Sequence, residues 1–457
     1  MSQKPYEVAI IGGGVCGTAL LYTLSQYTNI ANIALIEKNS EVALVNSRKS
    51  NNSQTLHFGD IETNYTLEKA RKVNRAATLV KNYLLSNDQE QEVYTKYHKM
   101  VLAVGTEQVA KLKTRYEEFK GLFPNLKLIN QAEIAEVEPK VLESRDTSEE
   151  TLALFTDEGY TINFQKLSQS FLDRALTDND KTIDVLFDHK VIKISRQDGY
   201  YLIKTSQQTI KAKTIAVEAG AHSLLIAKSL GYGKDFALLS VAGSFYYAPS
   251  VLKGKVYTVQ LKKLPFAAIH GDPEVDDPNI SRFGPTAKVL PMLERRNYAT
   301  IWEYFKTAGL SLKAIFSFIK ILSDFTVLKY ILLNLIYDLP WIGKRLFIKK
   351  VRRIVPSITL KDLKFAHGYG GVRPQIVNLN TRSLELGEAK ILGEKILFNV
   401  TPSPGASTCL QNAQDDATRI IEFLGDDYAF EQKQFIQDLV GANAALDSSS
   451  SGKATVN

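Results

Sequence analysis

The sequence predicts an α/β chain: a Rossmann-like nucleotide-binding domain, an inserted antiparallel-sheet domain and a basic helical segment. Three observations carry this. The chain opens with an apolar strand, a glycine turn and a helix, "YEVAIIGGGVCGTALLYTLSQY", and a second strand, "IANIALIEKN", follows. Alternating segments rich in Val, Ile, Tyr and Phe, such as "TIDVLFDHKVIKISR" and "GKVYTVQLKKLPFAAIH", read as strands of an antiparallel sheet. Nucleotide-type elements recur near 185–223 and 396–420, so another domain interrupts the first.

Taken in order, residues 66–86 and 106–121 read as polar amphipathic helices, and "YTINFQKLSQSFLDRAL" as a strand entering a helix. Residues 300–355 read as helical, and a final helix follows the strand "ILFNV". The nucleotide-binding domain is expected over 1–90, 150–230 and 360–440, and the substrate domain over 91–149 and 231–300. The helical basic segment covers 301–359, and residues 445–457, "ALDSSSSGKATVN", read as a flexible tail.

Length and composition agree. The 457 residues are 44% hydrophobic and 23% charged, enough for two or three domains. Cys16 and Cys409 are the only cysteines, which excludes a disulfide framework and suits a reducing compartment. The N-terminus lacks the basic and apolar regions of a secretory signal. Net charge is +7; nine Lys/Arg and two Asp fall between 311 and 353, leaving 47 of each sign elsewhere. One segment therefore carries the whole imbalance, which points to a local basic surface and away from nucleic acid.

Gly12, Gly14 and Gly17 form G-x-G-x-x-G between the first strand and helix. Gly12 permits the tight turn, Gly14 lets a pyrophosphate approach the backbone, and Gly17 lets helix and sheet pack closely. Glu37 closes the second strand 20 residues after Gly17, where an acid binds ribose hydroxyls, and Lys38 follows it. Only one such glycine pattern is present, so one dinucleotide is expected. FAD is favoured because "TIAVEAGAHS", with Gly220, and "ILFNVTPSPGAST" return to the same domain. Gly405, Ala406, Ser407 and Thr408 open a helix whose free N–H groups suit a flavin or its phosphates; plain N-capping is the alternative for Ser407 and Thr408.

The stretches "AIIGGGVCGTAL", "SNNSQTLHFGDIETNYTLEKA", "PFAAIHGDPEVDDPNISRFGPTA", "HGYGGVRPQIV" and "NVTPSPGAST" resemble the flavin-dependent malate:quinone oxidoreductases. These lie within a wider class that includes glycine and D-amino-acid oxidases and L-2-hydroxyglutarate dehydrogenases. The resemblance implies FAD, oxidation of (S)-malate to oxaloacetate, and delivery of electrons to membrane quinone without NAD. It implies a peripheral protein on the cytoplasmic side of the inner membrane. It adds Ser53, Thr55, Val191 and Gly371 to the expected flavin contacts. Two alternatives stay open: a flavoenzyme acting on L-2-hydroxyglutarate, lactate or an amino acid, and a non-enzymatic flavin-binding scaffold at the membrane.

Oxidising a 2-hydroxy acid needs a base for the hydroxyl proton and cations for the carboxylates. His270, at the end of "KKLPFAAIH", is the first candidate base and His367, in "FAHGYGGVRP", the second. Arg373 and Arg282 are the carboxylate candidates, and two arginines suit a dicarboxylate. His57 is expected to line the flavin or substrate. His98, His189 and His222 read as ordinary. Asp272, Glu274 and Asp276 form a D-x-E-x-D run, but a calcium loop needs Gly and Glu where Asp277 and Phe283 stand, so no metal is expected. Asp272 is left either orienting His270 or facing water.

The segment 311–353 combines lysines and arginines with aliphatic faces: Ile315, Ile319 and Leu322 on one, Leu328, Ile331, Leu332 and Leu335 on the next. Its longest uncharged run, Tyr330 to Tyr337, is far below the roughly 20 residues of a membrane span. An anionic membrane surface is the expected partner, and a packed helical subdomain the alternative.

Overall fold

The computed structural model describes residues 4–177, 180–260, 269–308, 312–339, 341–385, 389–401 and 404–440. The expected tail at 445–457 lies outside them, as do Pro265–Ala268 and Ser311. Three sheets organise the described residues.

The first sheet has the predicted β-α-β unit at its centre. Its core order is Ala389–Gly393, Ile396–Val400, Thr209–Val217, Tyr6–Ile11, Asn32–Ile36 and Thr182–Leu186. Tyr6–Ile11 pairs in parallel with Asn32–Ile36 and Thr209–Val217, setting Ile10 opposite both Leu35 and Ala216. These strands are almost wholly apolar because both faces are covered. On one side lies the helix Val15–Tyr27, packed against Phe164–Leu176 and Cys409–Leu424 around Leu20, Leu24, Phe171 and Leu410. The return of 396–420 to this sheet is as expected.

The second sheet has eight strands: Lys364–Phe365, Tyr246–Pro249, Ile280–Gly284, His270–Pro273, Lys255–Thr258, Tyr94–Val104, Thr151–Ile162 and Lys127–Ile129. Two details depart from expectation. Thr151–Ile162 belongs here, with Met100 opposite Phe155, so the boundary expected at 150 falls after that strand. Both strands are long and face helices on one side, which hides from a linear reading which sheet they join. Also, Lys255–Thr258 runs parallel to Tyr94–Val104 in an otherwise antiparallel sheet.

A third, four-stranded sheet pairs Phe236–Ala242 with Val372–Asn378, flanked by Lys288–Val289 and Ser383–Leu384. It joins a strand expected in the substrate domain to one expected in the nucleotide domain, and its register sets Val241 opposite Arg373.

Residues 300–355 form four helices, Thr300–Ala308, Leu312–Leu322, Phe325–Tyr337 and Ile342–Val351. No described helix is long and apolar enough to cross a membrane. Ala314, Val327 and Ile331 pack on Leu239, Val241 and Val377 of the third sheet. Ile331 therefore leaves the outward face expected for it, while Leu332 and Leu335 stay exposed, as do Ile315, Ile319 and Leu322. The helix Phe325–Tyr337 is thus buried along one edge and bare along the other.

Candidate active site

A long cavity runs from the glycine turn at Gly12 and Gly14, past Ser53, Thr55 and His57, to Arg373 and Gly405–Ser407. At its first end the glycines are sterically required. Gly12 has φ +113°, and a Cβ there would sit 2.6 Å from the Glu218 carbonyl. A Cβ on Gly17 would meet the Gly12 carbonyl at 1.9 Å. The helix Val15–Tyr27 has Gly14 at its N-cap and no acid in its first turn, and its Val15 N–H donates to Ser47 Oγ at 3.0 Å, a neutral partner that leaves the positive field of the helix end toward the cavity. Glu37 ends its strand in the wall; its carboxylate accepts from the Gly13 N–H at 2.6 Å and the Asn39 N–H at 3.0 Å. Glycine cradle, helix end and carboxylate fit the pyrophosphate and ribose of a dinucleotide.

Further wall residues at this end come from distant segments. His222 Nε2 lies 3.0 Å from Glu303, and Lys190 pairs with the same carboxylate at 3.0 Å. Glu303 is held near 2, by the His222 bond against burial and with Lys190 helping. Lys38 pairs with Glu294. His189 and His222, read as ordinary from the sequence, thus line the nucleotide end. Glu218 is buried beside Asp416, with Asn399 bonded to both, and burial followed by the Asp416 charge raises its carboxyl well above the usual range.

Another part of the wall brings a histidine and an arginine to the cavity. His57 Nδ1 lies 2.6 Å from Glu62 Oε1, and its backbone N–H donates to Ser407 Oγ at 3.0 Å. Burial alone would raise the Glu62 carboxyl, but the His57 bond and the charges of His57 and Lys99 hold it below the ordinary value. An ionised Glu62 fixes the proton on Nδ1 and leaves Nε2 as an acceptor in the cavity wall. Arg373 stands in the same wall. Burial pulls its guanidinium down, and the Tyr330 and Tyr65 hydroxyls oppose this; no carboxylate among the described residues neutralises it. Burial raises the Tyr65 hydroxyl, with the Glu62 charge adding to this and Arg373 opposing it.

Behind this wall sit buried charges. Asp272 accepts from Lys255 Nζ at 2.9 Å and from Arg282 Nε and Nη2 at 3.2 and 2.9 Å. Arg282 also donates to the Ser53 carbonyl at 3.0 Å, and Lys255 to Thr55 Oγ1 at 3.2 Å. Lys99 pairs with Asp60 at 2.9 Å. Arg115 donates to the carbonyls of Tyr65 and Glu62, both at 2.6 Å. The segment 52–65 is therefore braced at both ends.

With this geometry in place, comparison with known proteins is informative. The family model for malate:quinone oxidoreductase (Mqo) matches residues 4–423. A probable malate:quinone oxidoreductase of Campylobacter jejuni is 43% identical, covering 96% of this chain and 100% of the relative. The malate:quinone oxidoreductase of Helicobacter pylori is 42% identical over 95% and 98%. The chain belongs to the malate:quinone oxidoreductase family. In fold it is similar to the L-α-glycerophosphate oxidase of Mycoplasma pneumoniae with FAD bound, at a TM-score of 0.63, 19% identity and coverage of 92% and 95%. It is also similar to the glycine oxidase of Geobacillus kaustophilus, at a TM-score of 0.62, 15% identity and coverage of 94% and 98%. A flavin cofactor and a quinone-dependent dehydrogenase follow from the family.

The residues expected at the site separate into two sets. Gly12, Gly14, Glu37, Lys38, Ser53, Thr55, His57, Val191, Gly220, Gly371, Arg373, Gly405, Ala406 and Ser407 lie in the wall. Gly17 packs beneath it. Thr408 lies outside and donates to the Gly405 carbonyl at 3.1 Å, while Ser407 binds the His57 N–H and so is no plain N-cap. His270, Arg282 and His367 lie outside the described wall. His270 is 1% exposed, with its ring 4.6 Å from that of Tyr257, whose hydroxyl meets Thr55; it stands one layer back. Arg282 is engaged by Asp272, which is fully buried and does not face water. His367 is exposed and packs edge-on against Phe365. Glu62 and Tyr65 were missed, although "HFGDIETNY" places both just after His57.

Two outcomes are expected. Gly17→Ala forces a Cβ into the Gly12 carbonyl, so the purified variant should carry little flavin by absorbance while wild type carries a full complement. Asp272→Ala leaves Lys255 and Arg282 buried and unpaired, which should cost about 3–5 kcal/mol in chemical denaturation at neutral pH. Burial opposes the Asp272 charge, but Arg282, Lys255 and His270 hold its carboxyl well below the usual range. Its stabilisation is then complete above the unfolded carboxylate value, about 3.9, and is lost as pH falls further. The gap between wild type and variant should accordingly narrow below about pH 4.

Proposed function

We propose that this chain oxidises (S)-malate to oxaloacetate with FAD and passes the electrons to membrane quinone. The observation that carries the reading is the pairing, in one wall, of a carboxylate-oriented histidine and an unneutralised arginine. Arg373 holds a substrate carboxylate, and burial strengthens that attraction. His57 Nε2 accepts the proton of the C2 hydroxyl, and Glu62 stabilises the imidazolium that forms. FAD, when bound along the cavity, supplies the acceptor for the hydride released from C2. The base role passes from His270 to His57 because His57, unlike His270, lies in the wall and is oriented by a carboxylate, in the same wall as Arg373.

The test is anaerobic flavin bleaching across a panel of 2-hydroxy acids and amino acids. Malate should bleach it best; bleaching by an amino acid alone would overturn the reading. His57→Asn should slow reduction by malate roughly 10²–10⁴-fold with FAD retained, and Arg373→Met should raise the malate KM by about 10²-fold. His270→Asn should stay within several-fold of wild type in stopped-flow reduction.

The proposed location is the cytoplasmic face of the inner membrane, reached through residues 311–353 and the adjoining helix Thr300–Ala308. Trp302, Phe325 and Trp341 are 75%, 75% and 80% exposed, and Phe316 and Ile319 lie bare nearby. Aromatic and aliphatic side chains among lysines suit an anionic bilayer. The double variant Trp302→Ser, Trp341→Ser should lose most of its binding to anionic vesicles in a flotation assay and keep malate reduction of its flavin. Undiminished flotation would remove this surface from the proposal.

A further inference from the structure

A second cavity lies behind the flavin cavity, walled by Arg48, Arg295, Arg296, Asn46, Asn51 and Asn297 among others. The two cavities adjoin and share Asn46, Asn51, Glu294 and Gly371 in their walls, where the backbone of Gly370 and Gly371 is laid on the 46–51 segment. Gly370 N–H donates to the Ser50 carbonyl at 2.7 Å, and Val372 N–H to Asn46 Oδ1 at 3.2 Å. A Cβ on Gly371 would meet the Asn51 carbonyl at 2.5 Å, and one on Gly370 would meet Arg295 Nη1 at 2.2 Å. Arg295, which lines only the second cavity, lies against this backbone.

The charges in this cavity do not balance. The Arg295 side chain is 9% exposed; its Nη2 donates to Ser244 Oγ at 2.5 Å, with Asp338 at 3.6 Å. Its Nη1 is buried and has no hydrogen-bond partner among the described residues. Asp338 is shared with Lys288, and Glu294, the acid in the wall, is taken by Lys38. Arg296 donates to the Tyr369 carbonyl at 2.7 Å, and Arg48 adds a third guanidinium at the exposed rim. Burial pulls Arg295 down to about 10, with Asp338 opposing and Arg296 adding to the shift. Three guanidinium groups in one wall, with side-chain amides beside them, match the oxygens of a multivalent anion, which would offset the cost of the buried Arg295 charge.

We propose that this second cavity is an anion-binding site, separate from the Arg373 site, for a small multivalent oxyanion: a di- or tricarboxylate or inorganic phosphate. The test is calorimetric titration of the FAD-loaded full chain with inorganic phosphate and, separately, with succinate, which has no hydroxyl to oxidise. The Arg373→Met background removes the substrate site from the measurement. One anion should still bind at one site per chain there, and whichever binds more tightly identifies the source. Adding Arg295→Gln and Arg296→Gln should weaken binding at least about tenfold while flavin content stays full. If that protein fails to fold, Arg296→Gln alone, on the exposed rim, should still weaken binding several-fold. Absence of binding by both anions in the Arg373→Met background would overturn the proposal. So would binding indifferent to Arg295 and Arg296, or loss of FAD from their variants, which would assign them to the cofactor. No readout uses malate oxidation, so this proposal and the proposed reaction fail independently.

Discussion

The carboxylate of Asp272 is the charge on which the rest of the site depends. It lies fully buried with two cations, Lys255 and Arg282, that no other carboxylate neutralises as closely. Desolvation of three charges is costly, and the three hydrogen bonds that Asp272 accepts from Lys255 and Arg282 offset it. The donors left over from Asp272 reach the Ser53 carbonyl and the Thr55 hydroxyl. The second sheet therefore holds the flavin-side loop through its surplus positive charge. His57 follows that loop directly, so its position is inherited from an ion triad it never touches.

The same device recurs on the other side. Lys99 and Arg115 leave the second sheet and its covering helix to bind Asp60 and two carbonyls of the 62–65 turn. Glu62 is thereby fixed from behind and His57 from in front by Ser407. Arg373 arrives from a different element, through its pairing opposite Val241 in the third sheet. His57 and Arg373 are thus set by separate sheets, and their spacing is a property of the whole fold. Such a site resists local distortion, because each side chain is oriented by groups that are themselves satisfied.

What the sequence made legible follows from range. The glycine turn, Glu37 and the helix after them act within one β-α-β unit, and local spacing reveals them. His57 and Glu62 are five residues apart on irregular backbone, so no helical or strand period marks them as partners. Asp272 sits in a run of acids that reads as a polar turn, yet its neighbours Glu274 and Asp276 bond to Gln54 and Lys49 of the flavin loop. The run is buried or capped because a distant segment covers it, and nothing local announces that. Arg282 and His270 were attractive for the same reason: their residue types suit the chemistry, but the pleat of the second sheet turns them one layer behind the wall.

The helix Phe325–Tyr337 joins the proposed bilayer face to the chemistry. Its outer edge shows Phe325, Leu332 and Leu335. Its inner edge sets Tyr330 against Arg373 and Asn334 against the Ala287 N–H at 2.8 Å, and Asp338 just beyond binds Ser244. Spacing of three and four residues makes the two edges opposite faces of one helix. A force that seats the outer edge must act on the inner one, since a helix of this length moves as a unit. The exposed apolar edge proposed for the bilayer and the Arg373 proposed for the substrate carboxylate are then separated by a single helix.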